Sequence, residues 1–216
     1  MVAVEHAGIE AKIIIEIASN CAVTDIRRSN LSGMGVIQEL ASELDVEERT
    51  LRRAVAQGAV RATRTGPRRL RLAPGEREYL RVHWLLLSQL RRALRTEHGV
   101  RLAVLYGSFA RGDEDDGSDL DLLISFADDR PLTGSRLAVR LQRVSGRRVD
   151  IARLERVEAQ TPLLLDRAVG EGRVLIDRDG EWERLCKGHS ALHARALRAH
   201  RRQMAGAARA IEELIA

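Results

Sequence analysis

The sequence predicts a mixed α+β fold. A helical, hairpin-bearing module occupies residues 1–73 and a linking helix 74–99. A small mixed β-sheet flanked by helices follows over 100–178, and a helical segment over 179–216. Three observations carry this reading. Short apolar runs, Leu102–Tyr106, Leu120–Phe126 and Val174–Ile176, have strand length and are bounded by glycine and acidic residues. Between the last two, Leu137, Leu141 and Val144 recur at helical spacing ahead of a further strand-like run, Arg147–Leu154. That strand–helix–strand spacing suits a right-handed crossover. Earlier, residues 36–72 hold two helical patterns and then an alternating pair of runs around Thr65-Gly66-Pro67.

The 216 residues are 44% hydrophobic, enough for a packed core in one medium domain or two small ones. The formal net charge is +5, and the basic residues are arginine except for Lys12 and Lys187. An arginine-rich surface favours phosphate-bearing partners. Aromatic residues make up only 3%, which argues against a stacking platform for single strands. Cys21 and Cys186 form no Cys-x-x-Cys and read as two buried thiols in a cytosolic protein. The first 18 residues lack a signal-peptide pattern, and no run has the length to cross a membrane.

In residues 1–32, Ile9, Ile13, Ile14, Ile17 and Ala18 suggest a short helix, and Cys21–Ser32 a connector. Val36, Ile37, Leu40, Ala41 and Leu44 give one apolar helical face. Asp45-Val46 makes a turn, and Glu47–Gln57 a second helix stopped by Gly58. Val46, Leu51 and Val55 face inward; Arg49, Thr50, Arg52 and Arg53 face outward. Val60–Arg64 and Arg68–Leu72 then form a hairpin. The segment 40–72 resembles a winged helix-turn-helix, with Arg61, Arg64, Arg68, Arg69 and Arg71 on or near the wing. Either Arg49, Thr50, Arg52, Arg53, Arg64, Arg68 and Arg69 contact double-stranded DNA, or the segment is a helical cap with a solvated basic face.

Pro74-Gly75-Glu76 opens a long helix reaching about His98. Tyr79, Val82, Leu86, Leu87, Leu90 and Leu94 form its apolar stripe, and Arg91, Arg92 and Arg95 its basic face. His83 and His98 read as surface or cap residues.

The chemistry concentrates in the next stretch. The strand Leu102–Tyr106 ends at Gly107-Ser108, where the chain must turn sharply. Such a turn offers backbone N–H groups and a hydroxyl to phosphate oxygens. The loop 112–117 is acidic and flanked by glycines, and reads as solvated. Asp119 and Asp121 follow, two apart and so on one face of a strand. Carboxylates held that close repel unless a cation sits between them. Mg²⁺, which takes carboxylate and phosphate oxygens, is the simplest choice.

Gly107-Ser108, ten residues, then Asp119-Leu120-Asp121 resembles the signature of the DNA polymerase beta-like nucleotidyltransferases. Ala110-Arg111-Gly112 makes the minimal nucleotidyltransferases, a small bacterial branch, the best match. The resemblance covers residues 100–178. It implies that Gly107, Ser108 and Arg111 bind the nucleotide, and that Asp119, Asp121 and a third aspartate, Asp150, are catalytic and hold two Mg²⁺ ions. It also implies ATP or another nucleoside triphosphate as substrate. Members of this branch often act as antitoxins that transfer AMP to a partner toxin, commonly of the HEPN fold. A small-molecule (antibiotic) nucleotidyltransferase is a variant of the same chemistry. A DNA-binding regulator with a non-catalytic sensor domain is the competing class.

Beyond Asp150, Pro162–Gly170 reads as a helix, Arg173–Asp177 as a strand, and the chain from Gly180 as helical to its last residue. Leu192, Leu197, Met204, Ala208, Ile211 and Leu214 are its apolar positions. This segment either closes over the nucleotide cleft or binds a partner chain. His189 and His193, four apart, lack a third His or a Cys to complete a zinc site.

Overall fold

The structure, a computed structural model, describes residues 34–66, 70–128 and 133–215. The expected helix around Ile9–Ala18, Cys21, and the wing residues Arg68 and Arg69 lie outside these. Helix α1 (Met34–Glu43) turns at Asp45, whose φ of 52° is a conformation aspartate tolerates. Helix α2 (Glu48–Ala56) follows and stops at Gly58. Strands β1 (Ala62–Arg64) and β2 (Leu70–Leu72) pair antiparallel, Thr63 opposite Arg71. Helix, turn, helix and hairpin therefore follow in the expected order.

Helix α3 (Glu76–Arg95) buries Tyr79, Leu80, His83, Trp84, Leu87, Leu90, Arg91 and Leu94. This stripe is rotated from the expected one: Val82 is 73% exposed. Arg91 is buried, not part of a solvated face, and its guanidinium bonds Gln57. Burial, with Arg95 and Arg53 nearby, lowers its pKa to about 10. His83 is likewise buried, stacked on Tyr79 with its Nε2 2.7 Å from Glu114 Oε1. The acidic loop is thus pinned rather than merely solvated; Arg147 also donates to the Asp116 carbonyl at 2.8 Å.

The main sheet has the order β5-β4-β3-β6. Strand β3 (Val100–Tyr106) runs antiparallel to both β4 (Leu120–Phe126) and β6 (Arg173–Asp177). Helix α5 (Thr133–Ser145) crosses from β4 to the parallel strand β5 (Val149–Arg153). In α5, Leu137 and Leu141 point inward as expected, but Val144 is exposed. Helix α6 (Leu154–Gln160), unforeseen, begins where the strand was expected to end; α7 (Pro162–Glu171) follows. The C-terminal segment is two helices, α8 (Glu181–Lys187) and α9 (His189–Ile215), broken at Gly188. Asp166 of α7 accepts from His189 and His193, each at 2.9 Å, and so fixes the start of α9. Residues 201–212 of α9 are exposed. Among the described residues no helix is long and apolar enough to cross a membrane.

Alternation along the strands divides the core. Ala103, Leu105, Leu122 and Ile124 join α3, α5 and the N-terminal residues Ile37, Leu40, Leu51 and Val55 in one apolar cluster. Leu102, Val104, Tyr106 and Leu123 face α6, α7 and α8 in another. The N-terminal helices are therefore built on the same core as the sheet.

Candidate active site

The residues singled out by spacing converge at one corner of the sheet. Tyr106, the last residue of β3, is the register partner of Asp121, and Asp121 is the register partner of Asp150 across the parallel pair β4–β5. The crossover thus sets the third aspartate beside the second. Gly107 then turns with φ 76° into a single helical turn, α4 (Ser108–Arg111). A Cβ on Gly107 would lie 2.4 Å from Asp121 Oδ2, so only glycine lets the turn pass over that carboxylate.

Burial raises the pKa of Asp121, and the neighbouring carboxylates Asp150, Asp119 and Glu171 raise it further. The Tyr106 hydroxyl is pushed up to about 12, by burial first and then by Asp121, Asp150 and Glu171. Clustered negative charge of this kind is what a divalent cation neutralises, and hard carboxylate oxygens are the donor set Mg²⁺ takes. Asp119 precedes β4 by one residue, and its carboxylate is bonded to Arg148. As they stand, no three His, Cys, Asp or Glu side chains among the described residues converge to hold a metal ion. Asp121 and Asp150, register partners, are the carboxylates that would hold one, with Asp119 next along the chain but paired with Arg148.

Arg111 sits at the end of the turn. Its Nε donates to Asp113 at 3.0 Å and its Nη1 to Glu171 Oε2 at 2.9 Å. Bonds from Asp113 and then Glu171 raise its pKa. Glu171 was not anticipated. It is the last residue of α7, and its Oε1 accepts from the Gly107 amide at 2.9 Å. Nothing local in the sequence marks it, since it reaches the turn from 64 residues away.

Behind the turn lies a buried charged network that spacing also did not reveal. Arg173 and Glu76, 1% and 2% exposed, pair through two bonds of 2.7 and 3.0 Å. The Nε of Arg173 donates to the Ala110 carbonyl at 2.8 Å, and its guanidinium lies 3.4 Å from the Tyr79 ring centroid. The Tyr79 hydroxyl donates to the Phe109 carbonyl at 2.9 Å. Arg61, expected near the wing surface, instead turns inward. Its Nη2 donates to the carbonyls of Ala110 (3.2 Å) and Glu171 (2.5 Å). These bonds fix the carbonyls of the turn at Phe109 and Ala110.

The expected DNA contacts sit elsewhere. Arg49 and Thr50 are exposed on α2, and Arg64 is exposed at the hairpin. Arg52 is half-buried and pairs with Glu48, and Arg53 is exposed on the same helix.

The stretch that holds this corner is similar to known proteins. The family model described as "Polymerase beta, Nucleotidyltransferase" matches residues 88–181. A chain named "Putative protein adenylyltransferase MJ0435", from Methanocaldococcus jannaschii, is 36% identical over 76 residues, 35% of this chain and 78% of its own length. A crystal structure titled as a toxin-antitoxin with AMP-PNP is 20% identical, spans 60% of this chain and 98% of its own, and superposes with a TM-score of 0.45. A structure of a tri-AMPylated Shewanella oneidensis HEPN toxin with MNT antitoxin gives 20% identity, 62% and 100% coverage, and a TM-score of 0.43.

Proposed function

This chain belongs to the polymerase beta-type nucleotidyltransferases, in their minimal branch, and from that premise we propose that it transfers AMP from ATP to a hydroxyl of a partner protein. The observation that carries the proposal is the register pairing of Asp121 with Asp150 beneath the Gly107 turn. The relative named as a protein adenylyltransferase supports a protein acceptor. The minimal-branch resemblance of Ala110-Arg111-Gly112 supports an antitoxin whose partner is a toxin, with a HEPN toxin the first candidate.

Each residue has a defined task. The Gly107 amide, the Ser108 hydroxyl and Arg111 hold the oxygens of the triphosphate. Asp150 accepts the proton of the acceptor hydroxyl, whose oxygen bonds to the α-phosphorus as the bond to the bridging oxygen breaks and pyrophosphate leaves. Asp121 and Asp150, with Asp119, would hold two Mg²⁺ ions, which supply charge neutralisation to the attacking and leaving oxygens. Most of the catalysis is then positioning and fixed electrostatics.

The exposed Arg49 and Thr50 on α2, ahead of the β1–β2 hairpin, favour a second role in binding operator DNA. Salt-dependent binding to upstream DNA tests that role, because a protein neutralising phosphates loses affinity steeply with salt.

The direct test is transfer of label from α-labelled ATP with Mg²⁺ into a lysate of the source organism, with D121N and D150N alongside. A labelled protein band that needs both aspartates is the expected result. Label confined to small molecules moves the acceptor to that class. No label with any of the four nucleotides sinks the transfer reading and leaves the DNA-binding regulator.

A further inference from the structure

The Gly107 amide carries a single hydrogen, and Glu171 already accepts it. The same carboxylate takes an Arg111 N–H through its other oxygen. Two donors that a triphosphate needs are therefore engaged by an anion of the chain itself. We propose that Glu171 is a built-in competitor for the phosphate cradle: its side chain leaves the Gly107 amide and Arg111 when the triphosphate enters, and so it sets nucleotide affinity. This rests on the reading of Gly107 and Ser108 as that cradle.

Two features support displacement of the side chain alone. The Glu171 backbone is anchored, because its carbonyl accepts from Arg61 Nη2 at 2.5 Å. The next residue, Gly172, is packed so closely that a Cβ there would lie 2.3 Å from the Ala168 carbonyl oxygen and 2.5 Å from Val104 Cγ1. The helix end therefore cannot retreat, whereas the carboxylate, with 17% of its side chain exposed, has a route to water. Charge gives the reason to move. Glu171 adds a fourth carboxylate to a corner that already holds Asp119, Asp121 and Asp150, and a polyanionic nucleotide bound there would repel it. A Glu171 that served only to position the turn would have to share one hydrogen with a phosphate oxygen.

Competition of this kind lowers apparent affinity by the fraction of time the donors are engaged. If Glu171 holds them about nine-tenths of the time, its removal tightens binding about tenfold. The experiment is calorimetric titration of the wild-type chain, E171A, E171Q and S108A with ATP and with inorganic pyrophosphate, in the presence of Mg²⁺. Circular dichroism checks each variant's fold, and the near-isosteric E171Q decides if E171A does not fold. The expected result is tighter binding of both probes by E171A, a smaller gain in E171Q, and weaker binding by S108A. Weakened S108A with E171A and E171Q at or below wild-type affinity keeps the cradle and overturns the competition. Unchanged binding in S108A and both Glu171 variants overturns the cradle and the competition together.

Discussion

Replacing Glu76 by glutamine removes one charge from a pair that water does not reach. Arg173 is 1% exposed and Glu76 2%. The substitution keeps the shape but leaves a buried guanidinium without its counter-ion, with only the carbonyls of Ala110 and Ala59 and the Tyr79 ring around it. Removing one partner of a buried pair costs about 3–5 kcal/mol. Glu76 also accepts from the Arg61 amide at 2.9 Å, a bond that the Gln carbonyl can retain. The figure therefore belongs to the charge rather than to the hydrogen bond. For a chain of this length, a loss of that size lowers the melting temperature by about 6–20 °C. Urea unfolding measures it directly, as a fall in midpoint at constant slope. The double variant E76Q/R173M removes both charges and should recover much of the loss, because an apolar replacement of a buried pair is often neutral. A loss under about 1 kcal/mol in E76Q, or a double variant worse than the sum of the single ones, refutes the argument.

The aspartate corner makes an opposite prediction. The Asp121 pKa is raised by burial and then by Asp150, Asp119 and Glu171, so its ionised form costs stability above the folded value. D121N should therefore melt higher than wild type at pH 7 while losing at least about 100-fold in AMP transfer; a lower melting temperature contradicts this. S108A should weaken ATP binding by about tenfold or more, the scale of one hydrogen bond to a charged group, with calorimetry as the readout. Asp166 behaves differently: burial raises its pKa, but bonds from His189 and His193 outweigh this and hold it below the usual carboxylate range. The stability it adds is complete above the unfolded value of about 3.9 and is lost as pH falls through the lower folded value. The gap in urea midpoint between wild type and D166N should accordingly shrink below about pH 4; a gap constant from pH 7 to pH 3 refutes the assignment.

The parts of the site that were legible in the sequence are those that rest on contiguous spacing. Gly107-Ser108 and Asp119-x-Asp121 lie within fifteen residues, and strand alternation places them. Asp150 required one further step, the crossover, which the register bears out. Glu171, Arg173, Glu76 and Arg61 were not legible because their partners lie 15 to 114 residues away, and a charged side chain looks the same in sequence whether solvated or paired. The rotated stripe of α3 has a related cause. Its apolar residues surround much of the helix, so periodicity alone admitted Val82, whereas the polar partners of the buried His83 and Arg91, Glu114 and Gln57, come from other parts of the chain. Helix α6 escaped notice because its seven residues offer only Leu154 and Val157 to the core.

The apolar cluster that runs from Ile37 and Leu40 through α3 into the sheet has a consequence for how the chain comes apart. The backbone supports the same continuity, since the Val174 amide of β6 donates to the Gly58 carbonyl at 3.1 Å. A boundary drawn between the two modules at residue 73 would cut through a shared interior rather than a tether. Excising the first module would strip Arg61 from the turn at Ala110 and leave Arg91, Arg77 and Arg81 of α3 without Gln57, Glu39 and Glu43. The two modules should melt as one cooperative unit, and neither is a cassette that can be moved to another chain unaltered.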